Sequence, residues 1–384
     1  MHNARKEALI MAYSVYQKFN IMLTCMAQEL FFPVDACDDM GLFLYVPILS
    51  NIFNIDVLHG AAIFFILLIS VFALVTGICF WLHTISYTVL FLGLCGLIRL
   101  CYVLQKINDL YVIYAFSYIG VSLILFSLYK KSTYALYGLV FFIGLICSFS
   151  GIVRIYSDLP VLIFCGIVSW FNSIFSKKQK IIAFVFCLIG YAIPQVHLRS
   201  CLQKREAFLQ QHGGVRYDQP TKHLFWHNIY IGFGFLQNNK GIEWSDSCGA
   251  NAATKVNAKA VYGTLLCENV TKQLVFNLFK EDRYFFMTTL FAKLGVIFLF
   301  FLLYFGPIGL ICSYFWSKPW YIELAFFSAL SISALPGLLT LPVVQYLAGF
   351  VTCTTLYVMY SMLWAVQNGA LIDIRLFINK IIEK

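Results

Sequence analysis

The run IFFILLISVFALVTGICFWL, Ile63 to Leu82, contains no charged residue. Twenty residues at a helical rise of about 1.5 Å cover about 30 Å, the thickness of a bilayer's hydrocarbon core. An uninterrupted stretch of this kind is a membrane span rather than one face of a soluble helix. Its surroundings have the same character. Across 384 residues the chain is 61% hydrophobic, 18% aromatic and 12% charged, against about 45–50% apolar and about 25% charged in soluble domains. The expected class is therefore an all-α polytopic integral membrane protein. The net charge of +9 then serves topology rather than nucleic-acid binding.

Charged residues and Pro/Gly-rich interruptions bound the apolar runs. They predict spans near 7–27, 57–82, 84–104, 111–129, 133–153, 159–176, 181–197, 287–312, 321–340 and 343–366, about ten helices of crossing length. The first is interrupted by Gln17, Lys18 and Asn20, so an interfacial helix is its alternative. With the N-terminus inside, Arg5, Lys6, Lys130, Lys131, Lys177, Lys178, Lys180, Lys318, Arg375, Lys380 and Lys384 all fall on one side. The short opposite connections hold only Lys106 and Arg154. That asymmetry predicts a multi-pass protein of the inner (plasma) membrane with both termini cytoplasmic. Three divisions follow: a membrane domain over 1–197 with an acidic outer loop at 28–56, an extracytoplasmic cap over 198–286, and a membrane domain over 287–384. The cap is expected to be small and mainly helical.

Four cysteines (Cys37, Cys201, Cys248 and Cys267) fall on the outer side, and Cys248 with Cys267 is a candidate disulfide. No zinc spacing, phosphate loop or nucleophile elbow occurs.

Several constellations carry candidate chemistry. Asp38 and Asp39 stand side by side ahead of the apolar run after Met40. Adjacent carboxylates can hold a divalent cation, or one can act as a base while the other stays ionised. They can equally cap the helix that begins at Met40-Gly41. Asp109 opens a span and has the same two readings. Arg99 lies inside an apolar run, where a charge costs about 2.5–3.5 kcal/mol unless it snorkels or finds a partner. Arg154 and Asp158, four residues apart, can pair with each other. Alternatively, the planar guanidinium of Arg154 can hold a lipid phosphate. His223 and His227 in HLFWHNIYIGFGF are spaced i, i+4, but Leu224 stands where a zinc protease needs Glu. Trp226, Tyr230, Trp244 and Asp246 add ring faces and a carboxylate, which suit a sugar-binding groove as well as an interfacial aromatic belt.

Asp38-Asp39 after the first span, Asp109 in the second outer loop and Arg154 in the third resemble the arrangement of the GT-C class of integral membrane glycosyltransferases. The run KHLFWHNIYIGFGFLQNNKGIEWSD is also similar to a motif of bacterial membrane proteins in polysaccharide pathways. This resemblance covers most of the chain through short motifs, and the usual acidic pair in that class is Asp-Glu or Glu-Asp. It implies transfer of a sugar from a polyprenyl-phosphate-linked donor to a glycan or lipid acceptor. Asp38 or Asp39 would be the base, with no cofactor beyond a divalent cation held by that pair. Arg99, Asp109, Arg154, His223, Trp226, His227, Tyr230, Trp244 and Asp246 would bind substrate. A polysaccharide polymerase or ligase is a neighbouring reading. A transporter, marked by deep ionisable residues and broken helices, and a non-catalytic scaffold are the others.

Overall fold

The computed structural model describes residues 3–27, 30–34, 40–84, 86–130, 133–214, 224–316 and 318–369. Asp38, Asp39 and His223 lie outside them, so the expected base pair and the first histidine have no structural account here. Helix α1 (Asn3–Phe19) carries Arg5, Lys6, Glu7, Gln17 and Lys18 within 17 residues. That density of charge suits an interface rather than a bilayer core, and the expected first span at 7–27 is not one. After α1, Thr24–Ala27 (β1) and Leu30–Pro33 (β2) pair antiparallel, with Cys25 opposite Phe32. This hairpin is the one sheet among the described residues. Helix α2 (Met40–Phe53) has 14 residues and an internal Pro47, about 21 Å at helical rise and short of a full crossing.

Long helices follow: α3 (Val57–His83), α4 (Tyr87–Ile107), the pair α5 (Ile113–Ser117) and α6 (Ile119–Lys130), α7 (Thr133–Val153), α8 (Leu159–Phe171) and α9 (Lys177–Gln211). Their ends obey local chemistry. The Asp56 side chain accepts from Leu58 and His59 N–H at the start of α3, and Ser176 with Gln179 forms a capping box on α9. Asn108 adopts the left-handed conformation, φ 41°, to end α4. Helices α10 (Phe225–Gly232), α11 (Asp246–Val256) and α12 (Leu265–Glu281) form the polar segment. The chain returns through α13 (Arg283–Leu303), α14 (Gly306–Phe315), α15 (Trp320–Leu339) and α16 (Ala348–Gln367).

Eight helices are long and apolar enough to cross a membrane among the described residues. They match eight of the ten expected spans. The expected span at 159–176 is α8, only 13 residues. The span at 287–312 is split between α13 and α14 at Phe305, a non-glycine residue at φ 61° followed by Gly306-Pro307. Helix α9 runs unbroken through the expected domain boundary at 197/198.

Contacts sort the helix ends into two sets. At one end, Gln179 on α9 donates to Thr133 on α7, Lys180 donates to the Trp170 and Asn172 carbonyls at the end of α8, and Gln367 at the end of α16 reaches the His83 carbonyl. At the other end, Arg5 on α1 pairs with Asp109 at 3.1 Å. Arg5 and Asp109 were expected on opposite faces of the membrane; they share one. The start of α1 and the end of α16 thus lie at opposite ends of the bundle, not on one side.

The densest helix pair is α7 with α9, and glycine makes it close. A Cβ on Gly144 would sit 2.1 Å from the Cys187 carbonyl oxygen, and one on Gly190 would sit 2.1 Å from that of Phe141. Backbones meet directly across this seam, as small residues permit between membrane helices. The opposite face of α9 is apolar and open: Ile181, Phe184, Leu188 and Val196 are exposed. Centrally, the Tyr118 hydroxyl shares a hydrogen bond of 2.6 Å with Ser333 on α15, satisfying both buried groups.

Candidate functional site

The Asp109 end gathers most of the polar chemistry. Asp109 Oδ1 accepts the Leu110 N–H at 2.7 Å, capping a short 3₁₀ turn. Its carboxylate also takes Arg5 Nη1 at 3.1 and 3.3 Å. The capping reading of Asp109 is therefore realised, and a basic partner from α1 is added. Two residues on, the Tyr111 ring lies under Arg154, whose guanidinium carbon is 5.1 Å from the ring centroid. Tyr111 meets Tyr346 edge-on at 5.2 Å, and Tyr346 meets Trp244 edge-on at 5.9 Å. Three sequence candidates (Asp109, Arg154 and Trp244) are thereby joined through Tyr111 and Tyr346, which no motif marked.

Helix α2 ends its approach at the same place. A Cβ on Gly41 would lie 2.6 Å from Val153 Cα, so the helix that follows Asp38-Asp39 starts against the neighbour of Arg154. Asp158, expected as the surface partner of Arg154, is instead buried and accepts from the Tyr191 hydroxyl at 3.2 Å. Burial pushes its carboxyl above the usual range, partly offset by backbone and Tyr191 hydrogen bonds.

A second cluster lies in the α10–α12 segment. Helix α10 has no side-chain cap of its own. The Glu268 carboxylate, on α12, fills that role: it accepts the Trp226 N–H at 2.8 Å and the His227 N–H at 3.2 Å. A negative charge at a helix N-terminus is favourable through both hydrogen bonds and the helix dipole. His227 is fully buried, with Nε2 3.2 Å from Asp246 Oδ1 at the start of α11. A carboxylate only accepts, so Nε2 is the protonated nitrogen. Nδ1 has no hydrogen-bond partner among the described residues. Trp226 lies beside Lys272, 5.6 Å from ammonium to ring. Tyr230 packs on the small core of Ile229, Phe233 and Ile242, and burial raises its hydroxyl pKa. His227 and Asp246 thus meet as a pair, while Trp226 and Tyr230 act first as packing groups.

Arg99 joins neither cluster. It is exposed on α4 and sits over the rings of Tyr304 and Phe305, at 5.1 and 5.2 Å, beside the α13–α14 break.

Lys293 is the main addition to the sequence candidates. It lies within α13, is 1% exposed, and donates to the Leu338 carbonyl at 3.2 Å. Among the described residues no carboxylate pairs with it. The Phe233 ring is 5.5 Å from its ammonium, and Gly232 packs so near Leu339 that a Cβ would stand 2.6 Å from its carbonyl oxygen. The glycine of GFGF therefore serves helix contact. A lone charge in an apolar run is the signal that marks Arg99, and FFMTTLFAKLGVIFLF carries it equally for Lys293.

Among the described residues no three His, Cys, Asp or Glu side chains gather as a metal site. Cys248 and Cys267, expected as a disulfide, are both free. No family model matches the chain, and neither a curated protein nor a solved structure matches it.

Proposed function

We propose that the protein transfers a sugar from a polyprenyl-phosphate-linked donor to a glycan or lipid acceptor at the Asp109 end of its bundle. The observation that carries this reading is the convergence of Arg154, Tyr111, Tyr346 and Trp244 beside the start of α2, the helix that follows Asp38-Asp39. A guanidinium held on a ring has the geometry to receive phosphate oxygens, and the half-buried rings of Tyr346 and Trp244 offer apolar surface to sugar C–H groups. In this scheme Asp38 or Asp39 deprotonates the acceptor hydroxyl, directly or beside a divalent cation, and Arg154 stabilises the charge growing on the departing phosphate. Asp109 and Arg5 hold the floor of the site rather than the substrate. The Lys-rich connections at the opposite end support a cytoplasmic location for that end by the positive-inside rule, and the reading takes the reacting end to face outward from an inner (plasma) membrane.

The test is release of polyprenyl phosphate from defined donors by the full-length protein in lipid nanodiscs. Turnover in the wild type should be lost in Asp38→Asn or Asp39→Asn, and Arg154→Gln should lower it by about 10²–10³. Equal turnover in all four proteins would remove these residues from the chemistry. Absence of turnover in the wild type would favour a transporter. That second reading draws on the buried Lys293 and on the broken α13–α14 helix, two features that transport folds use.

A further inference from the structure

Outside both clusters, Cys201 on α9 has two further soft or borderline donors beside it, one from α9 itself and one from the N-terminal arm. Cys201 Sγ lies 3.9 Å from Met22 Sδ and 3.9 Å from His197 Nε2. His197 and Cys201 are one helical turn apart on α9, so their side chains share a face. Met22 arrives from the loop between α1 and β1. Asn20 and Leu23 flank it in the left-handed region, at φ 55° and 61°. For a bulky residue such as Leu23 that conformation is strained, and Leu23 holds it while buried in the core. The loop is thus fixed in the shape that presents Met22 to Cys201.

Both separations from Cys201 fit a common metal. Bonds of about 2.3 Å to sulfur and about 2.0 Å to nitrogen, at about 120° to one another, put two sulfurs about 4.0 Å apart and sulfur and nitrogen about 3.7 Å apart. Thiolate and thioether donors select soft ions, and copper(I) accepts imidazole as a third ligand. Zinc would need a further His, Cys, Asp or Glu, and no such group of three occurs among the described residues.

We propose that Met22, His197 and Cys201 bind one copper(I) ion in a trigonal site that staples the N-terminal hairpin to α9. On binding, the Cys201 S–H proton leaves to solvent and the thiolate takes its place on the metal. The ion arrives as copper(I), so no electron changes hands.

The test is residue-specific alkylation of the full-length detergent-purified protein, under anaerobic reducing conditions, with and without copper(I) buffered by bicinchoninate. Peptide mass spectrometry reads the rate at Cys201, with Cys248 as internal control. Copper(I) should slow alkylation of Cys201 at least about tenfold, the scale on which weakened metal ligation is usually felt, and leave Cys248 unchanged. Met22→Leu and His197→Ala should each restore most of the rate. Met22→Leu conserves volume, so its elution profile should match the wild type and separate lost ligation from lost folding. Unchanged alkylation of Cys201 in the wild type would overturn the site, as would protection that survives both substitutions.

Discussion

Alanine at Gly144 or Gly190 tests the backbone contact between α7 and α9, and the pair tests it better than either alone. Each new Cβ would stand 2.1 Å from a carbonyl oxygen of the facing helix. Ordinary contact begins at 3.4 Å, so α7 and α9 must part by about 1.3 Å, and overpacking of this kind costs about 1–3 kcal/mol. Replacing a mid-helix glycine returns about 0.5–1 kcal/mol of backbone entropy, leaving each single variant destabilised by about 0.5–2 kcal/mol. Both clashes lie on one seam and point across it. A shift of α9 that relieves the first relieves much of the second. The double variant should then lose less than the sum of the singles, with a coupling of about 0.5–1 kcal/mol. Thermal unfolding of the three variants and the wild type in one detergent, followed by aggregation or intrinsic fluorescence, measures this directly. Strict additivity would mean that the two contacts relax independently, and unchanged midpoints would mean that the helices are not in backbone contact.

Four further outcomes follow from the same geometry. Glu268→Ala should lower stability by about 2–4 kcal/mol, since it strips the shared cap from two N–H groups at the start of α10; Glu268→Gln should recover part of it in the same thermal assay. Arg5→Ala and Asp109→Ala should each destabilise, and their double-mutant cycle should give about 1 kcal/mol of coupling for this part-buried pair. Asp282 caps α13 and pairs with Lys240 at 3.2 Å, and the Phe285 N–H and Lys240 hold its carboxyl below the ordinary Asp value of 3.8. Its stabilising contribution is therefore present above pH 3.8 and is lost as pH falls through the lower folded value, and Asp282→Asn should flatten that part of an acid-unfolding curve. Cys248 should react with a maleimide in the folded protein, whereas Cys267, which is 0% exposed, should react only after denaturation.

Span-forming helices were legible because their signal is local. An uncharged run of twenty residues can satisfy its backbone in lipid only as a helix, and α3, α7 and α16 lie within a few residues of their expected limits. The same reading failed where length alone could not decide. Residues 7–27 have enough apolar groups to suggest a span, but α1 carries Arg5, Lys6 and Glu7 at its start and Lys18 at its end, and it stops at Phe19 ahead of the hairpin. The α13–α14 break depends on one residue, Phe305, that adopts a left-handed conformation no composition rule foresees. In the site, Asp109 could be read as a cap because capping is encoded beside it in sequence. Glu268 could not, because it caps a helix that begins more than forty residues earlier. Tyr111 and Tyr346 became site residues only through tertiary contact with Arg154 and Trp244, while Lys293 was readable in principle from its isolation among apolar neighbours.

The Arg5–Asp109 pair joins residues 104 positions apart, and this bears on how the chain is assembled. At a synthesis rate of about 5–20 residues per second, Asp109 leaves the ribosome about 5–20 s after Arg5. For that interval α1 and its hairpin have no docking partner on the α4–α5 turn, while α3 and α4 are already entering the bilayer. The arm must therefore be held at the membrane surface, on the side where Asp109 will emerge, before the turn that fixes it exists. The composition of α1 suits such a wait: Leu9, Ala12 and Val15 are apolar residues that end buried, and Arg5, Lys6, Glu7 and Lys18 carry charge.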